Sequence, residues 1–479
     1  MSPISKRVMT LRTPFFLVMV LILSLLLVSC ADGGLPDVED THEEETVLAQ
    51  SPTTAPTPEN KPTPIPDHLL VEPEDLDGVE VHFVHPWMGA VAETLEGIAK
   101  DFSRSNPWGL SVNVQAYGSA ELLLADLEAS LAEDDVPGLI MLHPYRLAEL
   151  STRLETVDLG DYFEHPEWGF DEEDQEDFIP VFFEPYGIEG RVIALPVMPQ
   201  ATVLFYNQTW AEELGFASPP GDPAAFQEVS CAASFVNWRD DDTATDGTGG
   251  WVINLEPRVL AGWYRVFDGS LPFQGTPTFN NPITLEAFQY LWSAREQGCF
   301  WVARDPEPYF YFSSRLALVY AGTLDQIPSQ AGWLDMAERE DEWIAMGFPG
   351  RDQDVMVVDG PGLLIPEYTP AQQLGAWLFA RHLLEPEVQA QLVTSGYALP
   401  VRQSALEMLE DFADDHPQWA QAVDLLDIAQ ALPASDGWGI AQWVLQDAAF
   451  RMMQTDFDEI PQRLEELDQK VREQEGLLP

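Results

Sequence analysis

Between Val79 and Tyr145 the sequence alternates strand and helix patterns, and that order restricts the fold more than any other feature of the 479-residue chain. Val79-Glu80-Val81-His82-Phe83-Val84 alternates as a strand does, while Val91, Leu95, Ile98 and Phe102 recur at helical spacing. Leu110 to Gln115 alternates again. Leu123, Leu127 and Leu131 mark a second helix that Ser119 can cap, and Gly138 to Leu142 reads as a buried third strand. A β-α-β-α-β order predicts a mostly parallel sheet, whose ligand crevice lies beyond the carboxyl ends of its strands. Three segments fall there: His85-Pro86-Trp87, Tyr117-Gly118-Ser119 and Pro144-Tyr145. His82 and His85 make no metal pair, because residues three apart on a strand point to opposite faces.

A second stretch, Ile193 to Asn207, reads IALPVMPQATVLFYN. Its apolar residues run without alternation, as in strands buried on both faces, and Pro196 and Pro199 remove ladder donors and bend the chain between them. This pattern fits a strand that crosses between two lobes. Gln200, the polar residue beside the break, then lies where the lobes face each other and where small ligands collect.

The first thirty residues have the layout of an export signal: cationic Lys6, Arg7 and Arg12, then an apolar run from Phe15 to Val28. Leu27-Val28-Ser29-Cys30 resembles the bacterial lipobox, which implies cleavage before Cys30 and lipidation of that cysteine; an uncleaved anchor is the alternative. Residues 30–77 read as a tether, acidic at Glu43-Glu44-Glu45 and then rich in proline and threonine, which favour extended polyproline geometry. A net charge of -57 argues against nucleic acid, which needs clustered cations to displace counterions. The acidity reads as a solvated, self-repelling surface; it would also suit a cationic ligand, but by itself identifies none. Beyond Cys30 the cysteines are Cys231 and Cys299, and an even pair in an exported protein predicts one disulfide closing a loop of about 69 residues.

Further along, residues 181–192 read as a hairpin, and Asp240 to Gly250 lacks the ligand positions of a calcium loop and reads as a turn. Leu316 to Tyr320, Ile344 to Phe348 and Val355 to Val358 read as strands, the last running into Asp359-Gly360-Pro361-Gly362. Thr369-Pro370 opens a helix by cap and first-turn proline, and from Pro400 the chain is largely helical. No G-x-S-x-G, H-E-x-x-H or P-loop is present.

Several of these segments, in their order and spacing, resemble the extracellular solute-binding proteins of ABC importers, specifically the large sugar-binding group. The matching residues are Ala194-Leu195-Pro196 through Leu204-Phe205-Tyr206-Asn207, Leu214-Gly215, Pro219-Pro220, Arg315-Leu316-Ala317-Leu318 with Gly322, the helix Ala371 to Leu384, and Gly396-Tyr397-Ala398-Leu399-Pro400. The resemblance implies an α/β, two-lobed periplasmic-binding-protein-like fold with a ligand cleft between the lobes and several hinge crossings. It divides the chain into a first lobe of residues 78–198 and 350–399 and a second of 199–349 and 400–479. It implies a small solute, a carbohydrate, as ligand, the transmembrane subunits of an ABC permease as partner, and a lipid anchor on the outer face of the membrane, with no cofactor and no metal. Together with the strand-end argument it nominates Trp87, Tyr117, Pro144, Tyr145, Gln200, Trp263, Thr323, Gly360, Pro361, Gly362 and Trp438 as ligand-binding residues. Gln200 stands where the group often has an acidic residue and Thr323 where it has an aromatic one, so both positions bear on the ligand class. A secreted carbohydrate-active hydrolase and a receptor that serves a sensor are the alternatives; the hydrolase needs two crevice carboxylates at a fixed separation, and the sequence singles out no such pair.

Overall fold

In the computed structural model the chain is described over residues 69–476, apart from 134, 189, 272–274 and 303–307. The export signal, Cys30 and the tether up to residue 68 lie outside the described residues. The end of the stretch read as tether is already part of the fold, since Leu69 and Leu76 are buried with the core that covers the first sheet.

In chain order the strands are β1 (Glu80–His85), β2 (Ser111–Ala116), β3 (Leu139–Leu142), β4 (Leu195–Pro196), β5 (Gln200–Asn207), β6 (Trp251–Ile253), β7 (Phe300–Val302), β8 (Val319–Thr323), β9 (Trp343–Met346), β10 (Met356–Asp359), β11 (Gly362–Leu364) and β12 (Ala429–Ala431). A short separate hairpin pairs Gly187–Ile188 with Arg191–Val192. The main strands form two sheets, ordered β2-β1-β3-β11-β4 and β12-β10-β5-β8-β6-β7, with β9 also paired to β5. β1 lies parallel to both β2 and β3, as the alternation of strands and helices requires. The helices used below are α1 (Ala90–Ser105), α2 (Ala120–Glu133), α3 (Pro144–Ser151), α4 (Pro223–Arg239), α5 (Pro257–Val266), α6 (Pro282–Glu296), α7 (Pro370–Leu383), α8 (Pro386–Gly396), α9 (Pro417–Asp424) and α10 (Asp436–Met452).

Each sheet is covered on both faces, and the strand period of two decides which side chain enters which core. Val81 and Phe83 of β1 enter one core and Val84 another. Along β5, Ala201, Val203 and Phe205 join the core that also receives first-sheet residues, while Leu204 and Tyr206 join the second sheet's outer core. This explains the lack of alternation in that stretch: both faces are buried, so both must be apolar.

Two segments cross between the sheets side by side. The first is Val197–Pro199, between β4 and β5; the second is Gly360–Pro361, between β10 and β11. Val197 N donates to Pro361 O at 3.2 Å, and Leu399 N, which follows α8, donates to Pro199 O at 2.7 Å. At Gly360 an added Cβ would lie 2.6 Å from Pro199 Cα, so only glycine allows the two crossings to approach so closely. These pairings shift the expected boundaries. Residues 350–359, read with the first lobe, lead into β10, which pairs with β5 in the second sheet. Val401 and Arg402, read with the second lobe, remain on the first: Ile179 N donates to Val401 O, and Arg402 is held by Asp174 and Asp177.

Local chemistry accounts for the other departures. The strand expected over Leu316 to Tyr320 runs instead from Val319 to Thr323, because the Leu316 and Ala317 amides turn back to Tyr311 O and the ladder to β5 begins only at Val319. Asp240 to Gly250 is a turn closed by Thr245, whose hydroxyl donates to Asn237 O. Cys231 on α4 and Cys299, which follows α6 after Gly298 at φ 73°, are joined in the disulfide the sequence predicts. Among the described residues no helix is long and apolar enough to cross a membrane.

Candidate functional site

The edge of the second sheet that faces the crossings gathers the ends of several strands. β8 and β10 run antiparallel to β5, so Thr323 is opposite Thr202 and Asp359 is opposite Gln200. β6 runs parallel to β8, which brings Asn254, the residue after its last, to the same edge. Across from this edge lie Trp87 and Met88, which follow β1, Val91 on α1 and His143, which follows β3. Between the two walls is a cavity of about 510 Å³, closed at the crossings by Met198 and Pro361 and flanked by Ser395, Gly396 and Tyr397. Its volume is in the range of about 300–1,000 Å³ usual for small-ligand sites.

The cavity wall is rich in hydrogen-bond acceptors without protein donors. Gln200 Oε1, Thr202 Oγ1, Asn254 Oδ1, Gln326 Oε1 and Asp359 Oδ1 are all buried, and none has a hydrogen-bond partner among the described residues. The two best-defined amides have their orientation set by neighbours. Gln200 Nε2 donates to Gly396 O at 3.0 Å, and Asn254 Nδ2 donates to Glu256 Oε1 at 3.1 Å, which turns each carbonyl oxygen the other way.

A chain of charged groups crosses the same space. Arg258, on the first turn of α5, is 3.8 Å from Asp359 and 3.6 Å from Glu256; Asp359 in turn is 4.0 Å from the His143 ring on the opposite wall. The guanidinium is stabilised in its charged form chiefly by Asp359, with Glu256 and Asp325 adding to it. Burial pulls the His143 pKa down; Asp359 opposes that, and Arg258 and Arg146 add to it, so the ring is neutral at neutral pH.

Trp87 is oriented from behind by His85. The Trp87 amide donates to His85 Nδ1 at 3.3 Å, which makes Nδ1 the acceptor of a neutral ring. His85 is fully buried, and burial pushes its pKa down to about 4, consistent with that tautomer.

Of the residues nominated from sequence, Trp87, Gln200, Thr323 and Pro361 line the cavity together. Pro144 and Gly360 lie behind it, around a small void shared with Tyr186, whose hydroxyl donates to Gly360 O at 3.0 Å. Gly362 packs on the Tyr186 ring. Tyr117 donates its hydroxyl to Asp126. Tyr145 lines a separate groove with Gly439 and Trp443, while stacking on His143 at 6.4 Å between ring centroids. Trp263 and Trp438 are core residues: Trp263 packs among Phe226, Trp251, Tyr290 and Phe348, and Trp438 is only 1% exposed. A helical position that faces its own sheet buries the ring there, so it never reaches the cleft.

Sequence reasoning nominated none of His143, Asn254, Asp325, Gln326 and Asp359, which all line the cavity; Glu256 and Arg258 line it too, on the segment Glu256 to Trp263 that the resemblance marks as ligand-lining but from which only Trp263 was nominated. The signal was available. The rule that ligands gather beyond strand ends, applied to the first sheet, covers His143 after β3 and applies equally to β6, β8 and β10, with Asn254, Asp325, Gln326 and Asp359 at or just past their ends.

The family model described as bacterial extracellular solute-binding protein matches residues 97–426. No curated protein matches the chain by sequence. Among solved structures, the cyclic alpha-maltosyl-1,6-maltose binding protein from Arthrobacter globiformis superposes with a TM-score of 0.67 at 17% identity, covering 82% of this chain and 98% of its own. The sugar-binding protein MalE from Xanthomonas citri gives a TM-score of 0.67 at 18% identity, covering 83% and 99%. UgpB from Mycobacterium tuberculosis, in complex with glycerophosphocholine, gives 0.66 at 19% identity, covering 83% and 99%. These likenesses establish the two-lobed α/β fold.

Proposed function

The chain belongs to the bacterial extracellular solute-binding protein family, and from that premise we propose that it captures a carbohydrate in the cavity between its lobes and delivers it to the transmembrane subunits of an ABC permease. The observation that carries the ligand class is the set of five cavity-lining residues, Gln200, Thr202, Asn254, Gln326 and Asp359, each with a side-chain oxygen that has no protein hydrogen bond among the described residues. A buried acceptor left unpaired costs about 1–3 kcal/mol, so such a wall favours a ligand with several hydroxyl donors in fixed directions. Trp87, on the facing wall, supplies a flat apolar surface suited to the C–H face of a sugar ring. Trp87, Gln200, Thr323 and Pro361 are the nominated residues we retain for direct contact, with Asn254, Asp325, Gln326 and Asp359 added.

In this reading the protein converts nothing. The lobes close on the ligand by bending at residues 197–199 and 360–361, and Cys30 carries the lipid. A thermal-shift screen of mono- and oligosaccharides, polyols and glycerophosphodiesters tests it. A bound saccharide at a hundred times its Kd raises unfolding stability by about 2.7 kcal/mol. Turnover of that saccharide, or a response only to the polyols or the glycerophosphodiesters, would reject the proposal.

A further inference from the structure

The charge of the cavity narrows the ligand class further, a step that rests on the carbohydrate-binding reading. Glu256, Asp325 and Asp359 line the cavity against the single guanidinium of Arg258. That guanidinium is already engaged, 3.8 Å from Asp359 and 3.6 Å from Glu256. His143 brings no compensating charge at neutral pH, and Arg146 behind it pairs with Glu149 at 3.1 Å. Two of the three carboxylate charges are therefore left without a cation of the protein. Asp325 is exposed to the cavity mouth and, among the described residues, has no ion pair or side-chain hydrogen bond.

A second, independent feature marks the same cavity as a binding site for hydroxylated molecules. Thr202, a cavity-lining residue, is 1% exposed, and its buried hydroxyl has no protein hydrogen-bond partner among the described residues. The opposite wall presents the half-buried ring of Trp87, whose face attracts a cation as readily as it covers a sugar ring. Carboxylates on one wall, an aromatic face on the other and unpaired hydroxyl acceptors between them define one chemistry. We propose that the ligand is a polyhydroxylated solute bearing an ammonium group, an amino sugar or short amino-oligosaccharide, whose positive charge is received beside Asp325 and Glu256. The same arrangement disfavours anionic solutes, phosphodiesters and uronates included, because the only guanidinium or ammonium lining the cavity among the described residues is already paired.

The test uses the full-length protein in mild detergent and isothermal titration at pH 6 and low salt. The probes are glucosamine and its β-1,4-linked di- and trisaccharides, their N-acetylated counterparts, di- and trigalacturonate, and maltose. The proposal expects the amine forms to bind about 10-fold or more tightly than the acetylated forms, with the advantage shrinking as salt is raised. Asp325→Asn, an exposed substitution, should reduce that ratio to about 3-fold or less while leaving the melting temperature unchanged. Equal or tighter binding of the acetylated sugars, of the galacturonates or of maltose would overturn the charge assignment and leave the carbohydrate reading standing. An unaltered ratio in Asp325→Asn would overturn it as well. Failure of every saccharide to bind the folded protein would remove the carbohydrate reading, and this inference with it.

Discussion

Gln200 Nε2 donates to Gly396 O across 3.0 Å, so the first residue of the central strand of one sheet is tied to the last residue of a helix packed on the other. The bond has a consequence for ligand binding: it uses one of the two N–H groups and fixes which way the amide faces, and the oxygen has no protein donor among the described residues. Gln200 is thus both a tie between lobes and an oriented acceptor. Replacing it with alanine removes one hydrogen bond to the ligand and one between lobes. We expect affinity for the bound saccharide to fall by about 1 kcal/mol, several-fold in Kd, with a comparable loss of stability. Calorimetric titration with chemical unfolding separates the two.

Trp87 and Trp263 should respond in opposite ways to truncation. Trp87 lines the cavity and is half-buried, so Trp87→Ala should weaken saccharide binding by about 10-fold or more with little loss of stability. Trp263 is fully buried, and Trp263→Ala should cost about 3–5 kcal/mol of unfolding free energy. Urea unfolding of both variants, beside titrations of whichever remain folded, checks the contrast.

Gly360→Ala places a Cβ 2.6 Å from Pro199 Cα at the point where two crossings touch. Backbone cannot give way there as a flexible side chain can, so we expect about 1–3 kcal/mol of destabilisation and an altered lobe closure. Small-angle scattering with and without saccharide would detect the change in closure.

The Cys231–Cys299 bond lies away from the cavity, in a groove lined by Phe216, Phe235 and Trp238. Changing both cysteines to serine should lower stability by about 2–4 kcal/mol and leave saccharide affinity unaltered. Mass analysis under non-reducing conditions should show no free thiol at either position.

His85 predicts an acid-side weakness. Its folded-state pKa of about 4 is below its ordinary value of 6.5, so the unfolded chain binds the proton first. Stability is therefore fully present above about pH 6.5 and declines as pH falls toward 4, where both states are protonated. His85→Asn should flatten that part of the pH profile. Thermal unfolding at half-unit steps from pH 7 to 4 would show it.

The first sheet was legible because β1 and β2 keep a period of two, β3 is a continuous apolar run, their helices keep a period near four, and a parallel order admits few topologies. Pro196 and Pro199 likewise exposed the crossing, since proline cannot continue a ladder. The lobe boundaries were less legible. Nothing local in Val355 to Val358 states that β10 pairs with β5, a strand about 150 residues earlier; only the register Val357 to Thr202 does. Trp263 and Trp438 misled for a related reason: a tryptophan's chemistry suits either a core or a sugar, and helix rotation relative to the sheet decides which. Arg258, Asp325 and Asp359 were hidden in a chain with 80 acidic residues, where no carboxylate stands out until the fold brings three of them around one guanidinium.

The central claim is that one cavity between the lobes binds a hydroxylated solute through Gln200, Thr202, Asn254 and Trp87. Titrating the saccharide that gives the largest thermal shift into the wild type, Thr202→Val and Trp87→Ala tests it most directly. Binding of one saccharide per chain, weakened about 10-fold or more in each variant with the fold intact, is the predicted result. Unchanged affinity in both folded variants would place the ligand elsewhere and contradict the account.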